Sequence, residues 1–169
     1  MKKEPFKDSE VTFRLLTEAD LPLLAEWLMD PVVLNWFPMS NGREVEDAVK
    51  IWQTFAKQNL AYTVEVNHKP AGMAILYVNN FEKLKEQALF AILVNEHYRG
   101  RGVGNKFLKY LMHSAKNLGV KLLHLEVYEG NPAYNLYTRL GFKEYGRHKK
   151  FLRDASGAYH TKVMMQLYL

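Results

Sequence analysis

The chain has 169 residues, 48% of them hydrophobic and 13% aromatic, which suits one domain with a substantial core and excludes a disordered polypeptide. No cysteine is present, so disulfides, thiolate metal sites and a cysteine nucleophile are all removed. The formal net charge of +5 is modest, and no apolar run reaches membrane-spanning length.

Residues 11–16 alternate in the manner of a strand. Thr17 or Asp20 caps a helix that Pro31 stops, and residues 44–57 suggest a second helix with Val45, Ala48, Val49, Trp52 and Phe55 on its apolar side. Residues 61–66 and 71–78 read as a hairpin across Asn67-His-Lys-Pro70. A buried strand over residues 88–94 precedes a helix that carries Val103, Phe107, Leu108, Leu111, Met112 and Ala115 on one stripe. Residues 122–127 form the next strand. A short helix over residues 133–140 then has Pro132 at its start and Gly141 at its end. The chain closes with strands over 142–151 and 160–167, joined across Asp154-Ala-Ser-Gly157. The expected order is β-α-α-β-β-β-α-β-α-β-β, one domain over residues 1–169.

Between the strand ending at Val94 and the helix starting at Val103 lies Arg99-Gly100-Arg101-Gly102-Val103-Gly104. A strand, a glycine-rich turn and a helix in that order build an anion site, because glycines admit the ligand to the backbone and first-turn N–H groups point at it. A phosphate-bearing ligand is expected there, with Arg99, Arg101 and Lys106 nearby. The spacing is not that of a P-loop, since Gly104-Asn105-Lys106-Phe107 lacks the hydroxyl, nor of a dinucleotide fingerprint, whose third glycine comes one residue later. The bases at Arg147, Lys149, Lys150 and Arg153 lack any recognition-helix, RNP or zinc-finger pattern and read as a solvated face, so no nucleic-acid partner is expected. The six histidines show no metal-ligand pairing, and no metal is expected. No signal-peptide core follows Met-Lys-Lys-Glu-Pro, so a cytoplasmic protein without a membrane partner is expected.

Two stretches carry a family resemblance. Arg99, Gly102 and Gly104 fit [RQ]-x-x-G-x-[GA], and Asn131-Pro-Ala-Tyr-Asn-Leu-Tyr137-Thr-Arg-Leu-Gly-Phe142 is similar to N-x-A-x-x-L-Y-x-x-x-G-F. In that order they resemble the GCN5-related N-acetyltransferases, a resemblance that covers residues 86–169 well; residues 86–94, Glu126 and residues 147–167 are similar to the enzymes that acetylate ribosomal-protein N-termini. Residues 16–28 look like the opening of aminoglycoside acetyltransferases. The resemblance implies a single α/β domain, with a mixed, mostly antiparallel sheet and helices on both faces. It further implies acetyl-CoA as co-substrate, held by Arg99, Gly100, Arg101, Gly102, Val103, Gly104, Asn105 and Asn131 and by the backbone of Ile92, Leu93 and Val94 on a strand splayed from its neighbour. One departure is that the family asparagine falls at Gly130, with Asn131 displaced by one.

Acetyl transfer to an amine requires a proton acceptor, a donor to the oxyanion and a donor to the departing thiolate. Without cysteine, direct attack in a ternary complex is preferred. Tyr137 is the expected leaving-group acid, its phenol of pKa ~10 being matched to a thiol of ~8.5; otherwise it is a packed core tyrosine. Many relatives carry a glutamate on the strand before the glycine loop, where this chain has Ala88. Glu126 is the expected base and a candidate for a raised pKa inside its apolar strand, unless it pairs with a surface lysine. Glu86 is the second candidate. The acceptor amine is a protein N-terminus or a small cationic amine such as an aminoglycoside or polyamine, for which Asp30, Glu44, Glu46 and Asp47 could form an acidic pocket. Trp36 and Phe37 read as core rings or as walls of that pocket. The alternative to an enzyme is a non-catalytic acyl-CoA-binding regulatory module.

Overall fold

The computed structural model describes residues 3–169. Seven strands form one sheet: β1 (Val11–Leu15), β2 (Ala61–Val66), β3 (Lys69–Val78), β4 (Gln87–Val94), β5 (Leu122–Tyr128), β6 (Lys143–Arg153) and β7 (Tyr159–Tyr168). Their spatial order is β1-β2-β3-β4-β5-β7-β6. All neighbours are antiparallel except β4 and β5, which run parallel because a helix returns the chain between them.

Five α-helices pack on the two faces: α1 (Leu21–Leu28), α2 (Pro31–Leu34), α3 (Gly42–Lys57), α4 (Val103–Asn117) and α5 (Ala133–Arg139). Each face has its own core. Leu24, Trp27, Leu28, Val33, Val45 and Trp52 of α1, α2 and α3 bury against Ala61, Met73, Ile75 and Leu93. On the opposite face, Val103, Phe107, Leu108, Leu111 and Ala115 of α4 and Tyr137 of α5 pack on Ala88, Phe90, Leu123, Leu125 and Val163. Strand alternation feeds both cores, since successive β4 side chains point to opposite faces. Among the described residues, no helix is long and apolar enough to cross a membrane.

The expected elements are present, with local differences. Pro31 does not merely stop α1; it opens α2, where its missing N–H costs nothing and the Asp30 carboxylate accepts from Val32 N at 2.8 Å. Asn67 and His68 take left-handed backbone (φ 49° and 62°), so the hairpin turn is tighter than Asn67-His-Lys-Pro70 and β3 starts at Lys69. Of the two expected caps, Thr17 caps the 3-10 turn that leads into α1, and the buried Asp20 closes its capping box by accepting from the Thr17 amide at 2.9 Å; Asp20 makes no cap bond to α1 itself and also accepts from Arg14 Nη1 at 2.7 Å. Of the two rings in the segment after α2, Phe37 packs against the α1–α3 core, whereas Trp36 is half-buried and belongs to neither core.

Candidate active site

The parallel pair β4–β5 is joined only at Gln87–Leu122, Ala88–Leu123 and Leu89–His124. Beyond it, residues 90–94 of β4 and 125–128 of β5 diverge, and the sheet opens as a wedge. β4 stays paired to β3 as far as Val94, so one of its edges is satisfied and the other faces the wedge. Backbone parity says which groups line that edge. Asn95 N donates to Ala71 O on the β3 side, and Glu86 O accepts from Leu122 N on the β5 side. Even-numbered β4 residues therefore turn their N–H and C=O toward β5. The amides of Ile92 and Val94 face the wedge, while Leu93 turns its backbone to β3 and its side chain into the α1–α3 core. Arg99 occupies the Val94 carbonyl through Nε at 2.7 Å.

The wedge leads to the glycine loop. Gly100 and Gly102 have φ of 73° and 82°, a region that costs side-chain-bearing residues energy, and Gly102 is the N-cap of α4. No side chain caps this helix, and its first internal bond runs from Lys106 N to Gly102 O at 3.1 Å. The amides of Val103, Gly104 and Asn105 are thus turned outward at the positive end of a 15-residue helix. Gly104 answers a packing need: a Cβ there would lie 3.2 Å from Leu136 Cδ2, so its absence lets α4 close on α5. The other two bases expected at the phosphates are held by the N-terminal segment. Arg101 donates from Nε to Glu4 O at 2.8 Å, and Lys106 is paired with Asp8.

Tyr137 lies beside the wedge. Its ring meets Phe90, the first β4 residue past the closed part, edge-on at 6.0 Å, and meets Phe142 at 6.1 Å. The residue is 7% exposed, and burial pushes its phenol well above the ordinary tyrosine value. The group is therefore a protonated donor at neutral pH. Tyr137 is thus a packed core residue, as one of its two readings expects.

Glu126 does not meet the apolar surroundings suggested by its neighbours. Leu125 and Val127 turn into the α4 core and Glu126 turns to the other face, where its carboxylate is 44% exposed and lies 3.0 Å from Lys162 Nζ. The lysine pairing is thus what the structure holds. Lys162 is only 11% exposed, and its ammonium also sits 3.8 Å from the centre of the Phe151 ring. On the same face of β5, His124 is bonded to Gln87, and burial lowers its imidazole pKa, which keeps it neutral. Tyr128 follows on that face, its phenol raised by burial and then by the Glu126 charge. Glu86 precedes β4 at the closed end of the wedge, exposed and 2.5 Å from Lys121 Nζ, far along the strand from the glycine loop. Ala88 is fully buried against the α4 core. Asn131 uses its side-chain oxygen to accept from Ala133 N at 2.9 Å, starting α5.

Of the four acids expected to gather, Asp30 lines a cleft that does not include the other three. It lines a space of about 140 Å³ with Glu26, Trp27, Leu93, Glu96 and Arg99, between α1 and the end of β4. Glu44 instead accepts from the Ser40 amide at 2.6 Å, and Asp47 pairs with Lys50 on the outside of α3. Glu26, four residues before Asp30, was within local reach of the sequence, whereas Glu96 comes from beyond β4 and nothing local links it to Asp30. Gly72 did carry a signal, being an isolated glycine inside a strand. A Cβ there would stand 2.7 Å from Leu93 O, so only glycine lets β3 approach the end of β4 this closely.

With this geometry in view, the comparisons are consistent. The model of the acetyltransferase (GNAT) family matches residues 22–142. The chain belongs to that family. A [ribosomal protein bS18]-alanine N-acetyltransferase of Haemophilus influenzae is 38% identical over 86 residues, 51% of this chain and 59% of that protein. The chain therefore spans less than two thirds of that relative. The protein of the same name from Salmonella typhimurium is 36% identical over 154 residues, 90% of this chain and 95% of that one. Among solved structures, yncA from Salmonella typhimurium, solved with its cofactor acetyl-CoA, superposes with a TM-score of 0.77 over 95% of this chain and 94% of that one, at 22% identity. That likeness is one of fold.

Proposed function

We propose that the protein is an acetyl-CoA-dependent N-acetyltransferase that transfers acetyl to a primary amine by direct attack in a ternary complex. The observation that carries this reading is the β4–β5 wedge leading to the uncapped start of α4. An extended thioester chain fits an opening with free strand amides on one side, and a diphosphate suits outward amides at a helix N-terminus. The diphosphate is assigned to the amides of residues 100–105, and the acetyl oxygen to the amide of Ile92 or Val94. Glu126, directly or through a water, takes a proton from the acceptor ammonium. The freed amine then attacks the acetyl carbon, the C–N bond forms and the C–S bond breaks, Tyr137 gives its proton to the departing thiolate, and the surplus proton on the new amide nitrogen passes through solvent to the phenolate. Asn131 retains a side-chain N–H donor for the co-substrate, its oxygen being used at α5.

The preferred acceptor is a protein N-terminus. The two bacterial relatives are named for an alanine of ribosomal protein bS18, and the only amine an alanine offers is its α-amine. A small cationic amine is the second reading, favoured by the Glu26, Asp30 and Glu96 cleft beside Leu93. The test is thiol release from acetyl-CoA by purified protein across a panel of peptides with free N-terminal alanine, polyamines and aminoglycosides. Turnover of the peptides above the cations is expected. Tight acetyl-CoA binding with no turnover of any acceptor would leave the non-catalytic acyl-CoA-binding module in its place.

A further inference from the structure

The segment ahead of β1 is tied to the glycine loop at several points. Phe6 N donates to Arg101 O at 3.1 Å, and Arg101 Nε returns the bond to Glu4 O at 2.8 Å. The Arg101 guanidinium lies 3.5 Å from the centre of the Phe6 ring. That ring is 7% exposed, belongs to the α4 core and rests against Tyr98 at 6.2 Å, just before the loop. Pro5 Cβ comes to 4.0 Å of the position a Cβ on Gly102 would take, and Asp8 pairs with Lys106 in the first turn of α4. Residues 4–8 thus touch the loop before, within and after its two left-handed glycines.

A loop with glycines at 100 and 102 has more backbone freedom to lose on binding than any other sequence would. A ligand that orders such a loop binds more weakly by that cost, and a contact that orders it beforehand restores affinity without touching the ligand. We propose that Phe6 and Arg101 are positioning residues for the co-substrate: the strap of residues 4–8 holds the glycine loop in its phosphate-binding form, and Arg101 acts by gripping the strap rather than by contacting a phosphate. The proposal rests on the reading of residues 100–105 as the diphosphate site.

The test is calorimetric titration of the full chain with CoA, alongside separate KM values for acetyl-CoA and for the acceptor. Phe6→Ala should weaken CoA binding about tenfold, the scale of a lost preorganising contact, and raise KM for acetyl-CoA while kcat and the acceptor KM stay put. Phe6→Leu, which keeps apolar volume and removes the ring face, should weaken binding about threefold. Phe6→Tyr should restore parent behaviour. The double variant Phe6→Ala/Arg101→Ala should bind no worse than the weaker single one, because both break the same grip. Folded Phe6→Ala and Phe6→Leu chains that bind CoA as tightly as the parent, or tighter, overturn the proposal. So do effects of Phe6→Ala and Arg101→Ala that simply multiply, which would make Arg101 a phosphate contact in its own right. Should Phe6→Ala fail to fold, Phe6→Leu and the Arg101 variant decide alone. Gly102→Val separates the two levels: if it too leaves CoA binding intact, the diphosphate site lies elsewhere and the reading beneath the proposal fails.

Discussion

In Tyr137 the packing and the proposed chemistry fall on one side chain. Its ring is held by Phe90 and Phe142, and the same burial keeps the phenol protonated. Tyr137→Phe preserves the ring contacts and removes only the hydroxyl, so acetyl-CoA affinity should be retained while kcat falls about 10²–10⁴-fold, the range for a positioned acid. Equal losses in binding and turnover would assign the residue to packing alone. The pH dependence follows from the direction of the shift. The folded value lies above the unfolded ~10, so the proton and the stability linked to it are fully present below pH ~10 and are lost only as pH climbs toward the folded value. The parent kcat should therefore show no alkaline limb from this group below pH ~10; a limb centred near pH ~8 that vanishes in Tyr137→Phe would contradict the raised value while leaving the residue its acid role. Glu126 teaches the converse. Its sequence neighbours are apolar, but a strand hands alternate residues to opposite faces, and the partner that defines its setting, Lys162, comes from another strand. No local pattern encodes that pair.

At the scale of elements, what was legible was what is local. The stripe on α4, the glycines before it and the Pro132–Gly141 bracket around α5 are short-range signals, and the structure follows them. The wedge was expected from resemblance alone, because the absence of pairing beyond Leu89 depends on where two distant strands are pulled by their helices. Gly72 helps set that geometry. Adding a Cβ 2.7 Å from Leu93 O and 3.3 Å from Val94 Cα must move backbone, since neither neighbour is the end of a flexible side chain. Gly72→Ala should cost about 1–3 kcal/mol in denaturant unfolding, the usual size of an overpacking strain. Because the displaced atoms are those of residues 93 and 94, acetyl-CoA affinity should fall as well. A variant with parent affinity and reduced stability would show that the β3 side of β4 tolerates movement without disturbing its wedge side.

For the whole molecule, the sheet is one piece bound to two cores that meet at the wedge. β4 gives Phe90 to the α4 core and Leu93 to the α1–α3 core, so the strand that borders the opening is the one on which both halves depend. The strap adds a third tie, from residues 4–8 to the loop at 100–106, and its length of intervening chain is why the sequence did not reveal it. A ligand filling the wedge would touch β4, β5 and the start of α4 together, and so should stabilise the entire fold rather than a loop. At a concentration one hundred times its Kd, acetyl-CoA should add about 2.7 kcal/mol to unfolding. For a chain of this size that raises Tm by about 5–10 °C. Gly102→Val should erase the rise, because a β-branched residue resists φ of 82° and the turn that presents the first amides of α4 could not be kept. The control is the Tm of each protein without ligand, which isolates the ligand's share from the strain of the substitution. A Gly102→Val chain that is folded and still gains the parent's rise would place the co-substrate away from the glycine loop, whereas a parent chain that gains nothing at saturating acetyl-CoA would leave the wedge without its ligand.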